Sequence, residues 1–304
     1  MRWLAFLVAC AFLTTACTGS SSSEPSGEAL TPFVSGTYGA EPTLRFGSDQ
    51  PPSQRQRKVL HQGTGSVVSL GDLVVVDYVG QFWDGEVFDN SYSKNQPSSF
   101  AVSEDSFFPG FSDLIVGVRA GSRVALVIPP PPDATPDVGT FVFVIDVVRT
   151  YPKTATGDTQ AVRQQRPDTG LVISETLGTP PIIKIPDGIE EPETSDTVLL
   201  ARGHGAPVRK GLLVVQYTLV DWTGKEVDST WQEGTPTTVI VGNDERLDFV
   251  DSLEGLRIGS RVLIVSPSPP QDDSNEKTAA IAAVVDIVDQ PPKAFRSPQT
   301  KGKS

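Results

Sequence analysis

Few side chains in this chain are equipped for covalent or metal chemistry. There are two histidines and two cysteines among 304 residues. His61 and His204 both fall in glycine-rich turns, and no cysteine or carboxylate cluster is arranged around them. No phosphate-cradling loop, G-x-S-x-G elbow or dinucleotide fingerprint is present. The residue types therefore predict no metal centre, no cofactor and no activated nucleophile. What remains is aromatic surface from 14 Phe, five Tyr and four Trp. Taken singly, an aromatic in a strand-rich chain is ordinarily core.

Both cysteines lie at the extreme N-terminus, where they point to export rather than catalysis. Arg2 precedes an apolar run from Trp3 to Leu13 and then Thr14-Thr15-Ala16-Cys17. A charged start, a short apolar centre and small residues before a cleavage point define a signal peptide over 1–16. The run is shorter than the roughly 20 residues that span a bilayer as a helix. A cysteine after small residues resembles the bacterial lipobox, with Thr14 where that motif prefers Leu. The resemblance implies lipidation at Cys17, and the alternative is an ordinary secretory signal with an incidental cysteine. The polar stretch 17–40, with Ser20-Ser21-Ser22-Ser23 and Pro25, is expected to be a flexible tether. The expected address is exported, anchored by lipid to the outer face of the cell membrane. Net charge of −12 argues against nucleic acid as a partner, since phosphates call for clustered Lys and Arg.

The rest of the chain is one unit written twice. Leu73-Val74-Val75-Val76-Asp77-Tyr78 recurs as Leu212-Leu213-Val214-Val215-Gln216-Tyr217. Gly121-Ser122-Arg123-Val124 recurs as Gly259-Ser260-Arg261-Val262, and Val144-Ile145-Asp146-Val147-Val148 as Val284-Val285-Asp286-Ile287-Val288. Ordered matches at a near-constant offset predict two domains, 41–150 and 180–289, with a linker over 151–179 and a polar tail over 290–304. Within each, β-branched runs bounded by Gly or Pro predict strands, and Asp84-Gly85 predicts a hairpin. Phe111, Leu114, Ile115 and Val118 keep helical spacing, which predicts one short helix. The expected class is α+β, an antiparallel half-barrel sheet wrapped around a short helix, in two tandem copies.

Several stretches in the first copy are then specific. Val75-Val76-Asp77-Tyr78-Val79-Gly80 followed by Asp84-Gly85-Glu86-Val87-Phe88-Asp89-Asn90-Ser91 resembles the V-x-Y-x-G…D-G-x-x-F-D-S-S stretch of the FKBP-type prolyl isomerases. Phe107-Phe108-Pro109-Gly110-Phe111 is similar to that family's V-I-P-G-W/F. Leu114 to Arg123 and Phe141-Val142-Phe143 resemble its helix and last strand. The resemblance implies a proline-binding cup. Tyr78, Phe88, Phe111 and Phe143 would form walls and floor, Phe107 the rim, Phe108 a backbone donor, and Asp89 a polar group linked to Tyr78. Rotating an X-Pro bond crosses a barrier of about 18–20 kcal/mol without breaking a covalent bond, so no nucleophile or metal is needed. A water-poor apolar cup that favours the twisted amide suffices. The implied function is peptidyl-prolyl isomerisation of proline-containing segments of secreted proteins. A non-catalytic chaperone using the same cup is the alternative.

Two departures stand out. The loop after Ile128 runs Pro129-Pro130-Pro131-Pro132-Asp133 and lacks the family's tyrosine. The second copy keeps Tyr217, Asp228 and Phe249, but holds Val227 for Phe88, Ala283 for Phe143 and Glu245-Arg246 for Phe107-Phe108. It is expected to fold and to catalyse little.

Overall fold

In the computed structural model the described residues are 33–46, 50–104, 110–131, 139–165, 168–174, 176–242, 250–268 and 279–292. The valine and isoleucine runs become strands because branched side chains pack well on a pleated surface. The first part of the chain carries β1 (Phe33–Ser35), β2 (Thr43–Arg45), β3 (Gln56–His61), β4 (Leu73–Phe82), β5 (Val87–Asn90), β6 (Ser98–Ala101), β7 (Arg123–Ile128) and β8 (Phe141–Tyr151). The second carries β9 (Val162–Arg163), β10 (Val172–Ile173), β11 (Ile183–Lys184), β12 (Asp196–Arg202), β13 (Gly211–Asp221), β14 (Glu226–Ser229), β15 (Thr237–Val241), β16 (Arg261–Ser266) and β17 (Ile281–Asp289). Among the described residues the helical turns are α1 (Ser91–Lys94), α2 (Phe111–Ile115), α3 (Thr230–Glu233) and a 3-10 turn over Val250–Leu253.

Pairing is antiparallel throughout. The first sheet runs β3-β7-β8-β4-β5, with β6 also on β4. The second runs β12-β16-β17-β13-β14, with β15 also on β13 and β9 added outside β12. Along β4 the front face carries Val74 and Val76, which pack with Val124, Leu126, Phe143 and Ile145 and with Phe111 and Ile115 of α2. α2 is shorter than its apolar stripe. Val116 leaves helical geometry and Gly117 takes φ of 82°, so Val118 reaches the core after the turn rather than on the helix.

The back face carries one buried ion pair in each sheet. Arg123 Nε donates to Asp146 Oδ1 at 2.6 Å and Nη2 to Oδ2 at 2.7 Å. Arg261 and Asp286 repeat this at 2.6 and 2.8 Å. The remaining guanidinium hydrogens reach the chain that enters each unit. Arg123 bonds the carbonyls of Gly36 and Ala40, and Arg261 those of Thr176 and Thr179.

These contacts move the expected boundaries. The tether expected over 17–40 is ordered from Phe33, because β1 pairs with β2 and the Arg123 guanidinium takes its carbonyls; residues 17–32 lie outside the described residues. Leu44 and Phe46 then cover Trp83, Val127 and Val142 on the back of the first sheet. The stretch expected as a linker over 151–179 likewise holds β9 and β10. The hairpin β10–β11 covers the back of the second sheet through Leu171, Ile173 and Ile183. The tail expected from Gln290 starts packed, with the Gln290 side chain bonded to the Arg209 carbonyl at 2.6 Å.

Beside the first ion pair lies a second buried carboxylate. Burial pushes the Asp77 carboxyl up to about 6, the Ser91 hydroxyl opposes this and the Asp146 charge adds to it. The second sheet has the neutral Gln216 there, bonded by Thr230 at 2.6 Å. A carboxyl whose folded pKa is raised favours folding while protonated. That contribution is complete below about 3.8, the ordinary Asp value, and is lost as pH rises through about 6. Asp77→Asn is therefore expected to stabilise the chain by on the order of 1–2 kcal/mol at about pH 8 and to be neutral at about pH 4. Urea denaturation at the two pH values checks this, and an equal effect at both refutes it.

Candidate functional site

The front face of the first sheet opens into a cup of about 440 Å³ lined by Val76, Tyr78, Phe88, Asp89, Ser98, Ser99, Phe100, Phe111, Phe143 and Ile145. Phe143, on β8, is its hub. Its ring lies 6.3 Å from Tyr78, 5.5 Å from Phe88 and 5.9 Å from Phe111, the last two edge-on. Edge-to-face rings at these separations attract beyond their area burial and hold one another's rotamers. Phe88 stands 38% exposed at the mouth, whereas Phe111 and Phe143 are buried at 7% and 6%. The cup is thus open on one side and packed underneath.

Asp89 is the carboxylate of the lining. It accepts from the Tyr78 hydroxyl, from Lys94 Nζ at 2.5 Å and from the Asn90 N–H at 2.7 Å. Partial burial raises its pKa, but bonds from Lys94, Tyr78 and Asn90 outweigh this and hold the carboxyl below its ordinary value. The Tyr78 hydroxyl is pushed up to about 12, by burial first and then by the Asp89 bond and charge. At neutral pH the pair is one fixed carboxylate and one fixed hydroxyl. Neither titrates near neutrality, which suits a site that orients a substrate rather than one that shuttles protons.

Of the expected site residues, Tyr78, Phe88, Asp89, Phe111 and Phe143 converge on one cup. Phe107, Phe108 and Cys17 lie outside the described residues, as do Phe249 and the Glu245-Arg246 pair of the second copy. Phe100 lines the cup without having been expected, 5.2 Å from Phe111. Its signal was the alternation in Ser98-Ser99-Phe100, because Phe100 pairs with Val74 and Ser98 with Val76 on the same face. The histidines do structural work: His61 lies 5.8 Å ring to ring from Tyr38, and His204 pairs with Asp158 at 2.6 Å. Among the described residues no three His, Cys, Asp or Glu side chains come together as metal ligands would.

Gly80 is the least conspicuous residue of the site. Its register partner across the sheet is Phe143. A Cβ there would lie 2.7 Å from the Phe88 ring and 3.1 Å from the Phe143 ring, closer than carbon atoms pack. In the second sheet the same register joins Leu219 to Ala283. Leu219 is buried beside Ala283 and Tyr217, while Val227 in the place of Phe88 is 59% exposed. Small and large have changed places: Leu219 stands where Gly80 admits the rings of Phe88 and Phe143. Tyr217 still donates to Asp228 at 2.5 Å, so the polar pair is kept where the aromatics at the Phe88 and Phe143 places are not.

The site is therefore a strand-walled, mostly apolar cup with a fixed Tyr–Asp pair on its polar side. The model of the FKBP-type peptidyl-prolyl cis-trans isomerase family matches residues 65–134. The FKBP-type peptidyl-prolyl cis-trans isomerase FkpA of Escherichia coli is 38% identical over 73 residues, 24% of this chain and 26% of that protein. An FK506-binding protein of Streptomyces anulatus is 32% identical over 90 residues, 29% of this chain and 73% of that protein. The outer membrane protein MIP of Legionella longbeachae is 35% identical over 78 residues, 26% of this chain and 33% of that protein. The chain belongs to the FKBP-type peptidyl-prolyl cis-trans isomerase family, while its match spans only about a quarter of the length of FkpA.

Gly80→Ala is expected to cost about 1–3 kcal/mol, the usual penalty of overpacking, by forcing Phe88 and Phe143 apart. Denaturant midpoints of the full chain check it; an unchanged midpoint contradicts the close approach.

Proposed function

We propose that the chain is an exported, lipid-anchored peptidyl-prolyl isomerase whose activity resides in the first of two tandem FKBP-like half-barrels. The observation that carries this is the cup itself: four phenylalanines and a tyrosine around one carboxylate held ionised. Apolar walls receive the proline ring and exclude water from the imide. Without water to stabilise the planar, more polar amide, the twisted form is relatively favoured, and the barrier falls. The Tyr78–Asp89 pair fixes the polar side of the cup, and the Phe108 N–H is the expected donor to the substrate carbonyl. The Pro129-Pro130-Pro131 stretch brings no tyrosine to the rim, so substrate is held by shape more than by hydrogen bonds.

The tandem reading is supported by identical strand order, a repeated Arg–Asp pair and a repeated Tyr–Asp pair in the two sheets. The second unit is assigned a fold without catalysis, because Val227 and Ala283 replace two aromatic walls and Val227 stands exposed. Export rests on the apolar leader and Cys17, and an envelope location agrees with the MIP relative being an outer membrane protein. The clients are proline-containing segments of secreted or cell-envelope proteins.

The test is cis/trans exchange of an X-Pro peptide followed by NMR with the full chain. The wild type is expected to accelerate exchange, Phe111→Ala and Phe88→Ala to reduce kcat/KM at least about ten-fold, the loss of an aromatic wall, and Tyr217→Phe to leave it unchanged. Absence of acceleration with retained peptide binding favours the holding chaperone. Absence of both removes the proposal.

A further inference from the structure

The two sheets meet through their back faces, and they meet as counterparts. Leu73 and Val75 of β4 pack in one cluster with Leu212 and Val214 of β13, which hold the same places in the second copy, and Val148 packs there with Val288. At the centre Ser99 Oγ and Thr238 Oγ1 are 2.6 Å apart. These too are equivalents: Ser99 pairs with Val75 on β4, and Thr238 with Val214 on β13. A residue touching its own repeat equivalent marks a two-fold axis, and the patch is self-complementary in the way an isologous dimer interface is. Around it Thr235 Oγ1 donates to the Gly71 carbonyl at 3.1 Å, Tyr151 donates to Asp289 Oδ2 at 2.7 Å and Arg149 pairs with the same carboxylate at 3.5 Å.

One side of this interface is a wall of the cup. β6 is four residues long and pairs with β4 along one edge. A short edge strand with a single ladder is among the parts of a sheet most easily displaced. Yet β6 supplies the side chains of Ser98 and Phe100 to the lining, and Phe100 meets Phe111 at the floor. Ser98 and Phe100 face the cup, so Ser99 faces the other way, toward Thr238.

We propose that the second unit, with Val227 and Ala283 in place of two aromatic walls, serves as an internal partner that braces the wall of the first unit's cup, with Thr238 as the positioning residue acting through Ser99. The proposal rests on the isomerase reading of that cup for its effect on rate, though not for the brace itself. It accounts for a unit that keeps its fold and its interface while losing its site.

The experiment compares the full chain with Thr238→Val, which removes the hydroxyl at near-constant volume, and with Thr238→Ser, which restores it. Two readouts are taken: kcat and KM on an X-Pro peptide, and hydrogen exchange of the Ser98–Ala101 amides. Thr238→Val is expected to speed exchange in β6 and to lower kcat/KM, each by roughly three- to ten-fold, the worth of one hydrogen bond. The loss should fall on kcat more than KM, with the melting temperature held and both effects reversed by Thr238→Ser. If the wild type proves inactive while Thr238→Val still loosens β6, the brace stands and the isomerase reading fails. If the wild type is active and β6 exchange or kcat/KM does not move, the brace is wrong. Failure of Thr238→Ser to restore either readout also overturns it, since the effect would not then run through the hydroxyl.

Discussion

The buried Arg123–Asp146 pair is the interaction on which the cup depends, although it sits on the opposite face of the sheet. Arg123 and Asp146 are register partners on β7 and β8. A charge buried on the back face can be satisfied only in that register, and slipping by one residue would turn Phe143 away from the front. Replacing a buried pair by apolar residues is often neutral for stability, whereas removing one partner leaves a buried charge uncompensated. The spare guanidinium bonds do the rest, drawing Gly36 and Ala40 onto the unit and closing the hairpin over Trp83. The second unit repeats the arrangement with Arg261, Asp286 and the Thr176 and Thr179 carbonyls.

Fold and site therefore part company within a single chain. The back-face pair, the strand order and the Tyr–Asp bond persist in both units, because each holds the sheet together. The aromatic walls do not, since Val227 and Ala283 stand for Phe88 and Phe143. Exchanging Gly80 and Phe143 for Leu219 and Ala283 swaps small for large across one register, a volume-conserving change that cores tolerate. Function is carried by the site and not by the fold that displays it.

Much of this was legible in the residues. The valine runs, the Asp84-Gly85 hairpin and the aromatics Tyr78, Phe88, Phe111 and Phe143 could be placed, because pattern and family motif agree at those positions. Phe100 was not, since the alternation Ser98-Ser99-Phe100 marks a face but does not say that a four-residue strand returns beside β4. The Gly80–Leu219 exchange was hidden for a related reason: a glycine announces no role until the rings across the sheet are seen. The ordering of residues 33–40 and 176–179 depends on carbonyl groups meeting a distant arginine, and carbonyls leave no trace in a sequence. The helix was drawn too long because Val118 keeps helical spacing while reaching the core by a turn at Gly117.

The proposed catalysis belongs to the cup walled by Phe88, Phe111 and Phe143. The most direct measurement gives the first unit the side chains of the second, by combining Gly80→Leu, Phe88→Val and Phe143→Ala in the full chain. NMR exchange of an X-Pro peptide is then recorded beside the melting temperature. The account predicts a folded protein that no longer accelerates exchange. A folded triple variant that isomerises the peptide as fast as the wild type would contradict it.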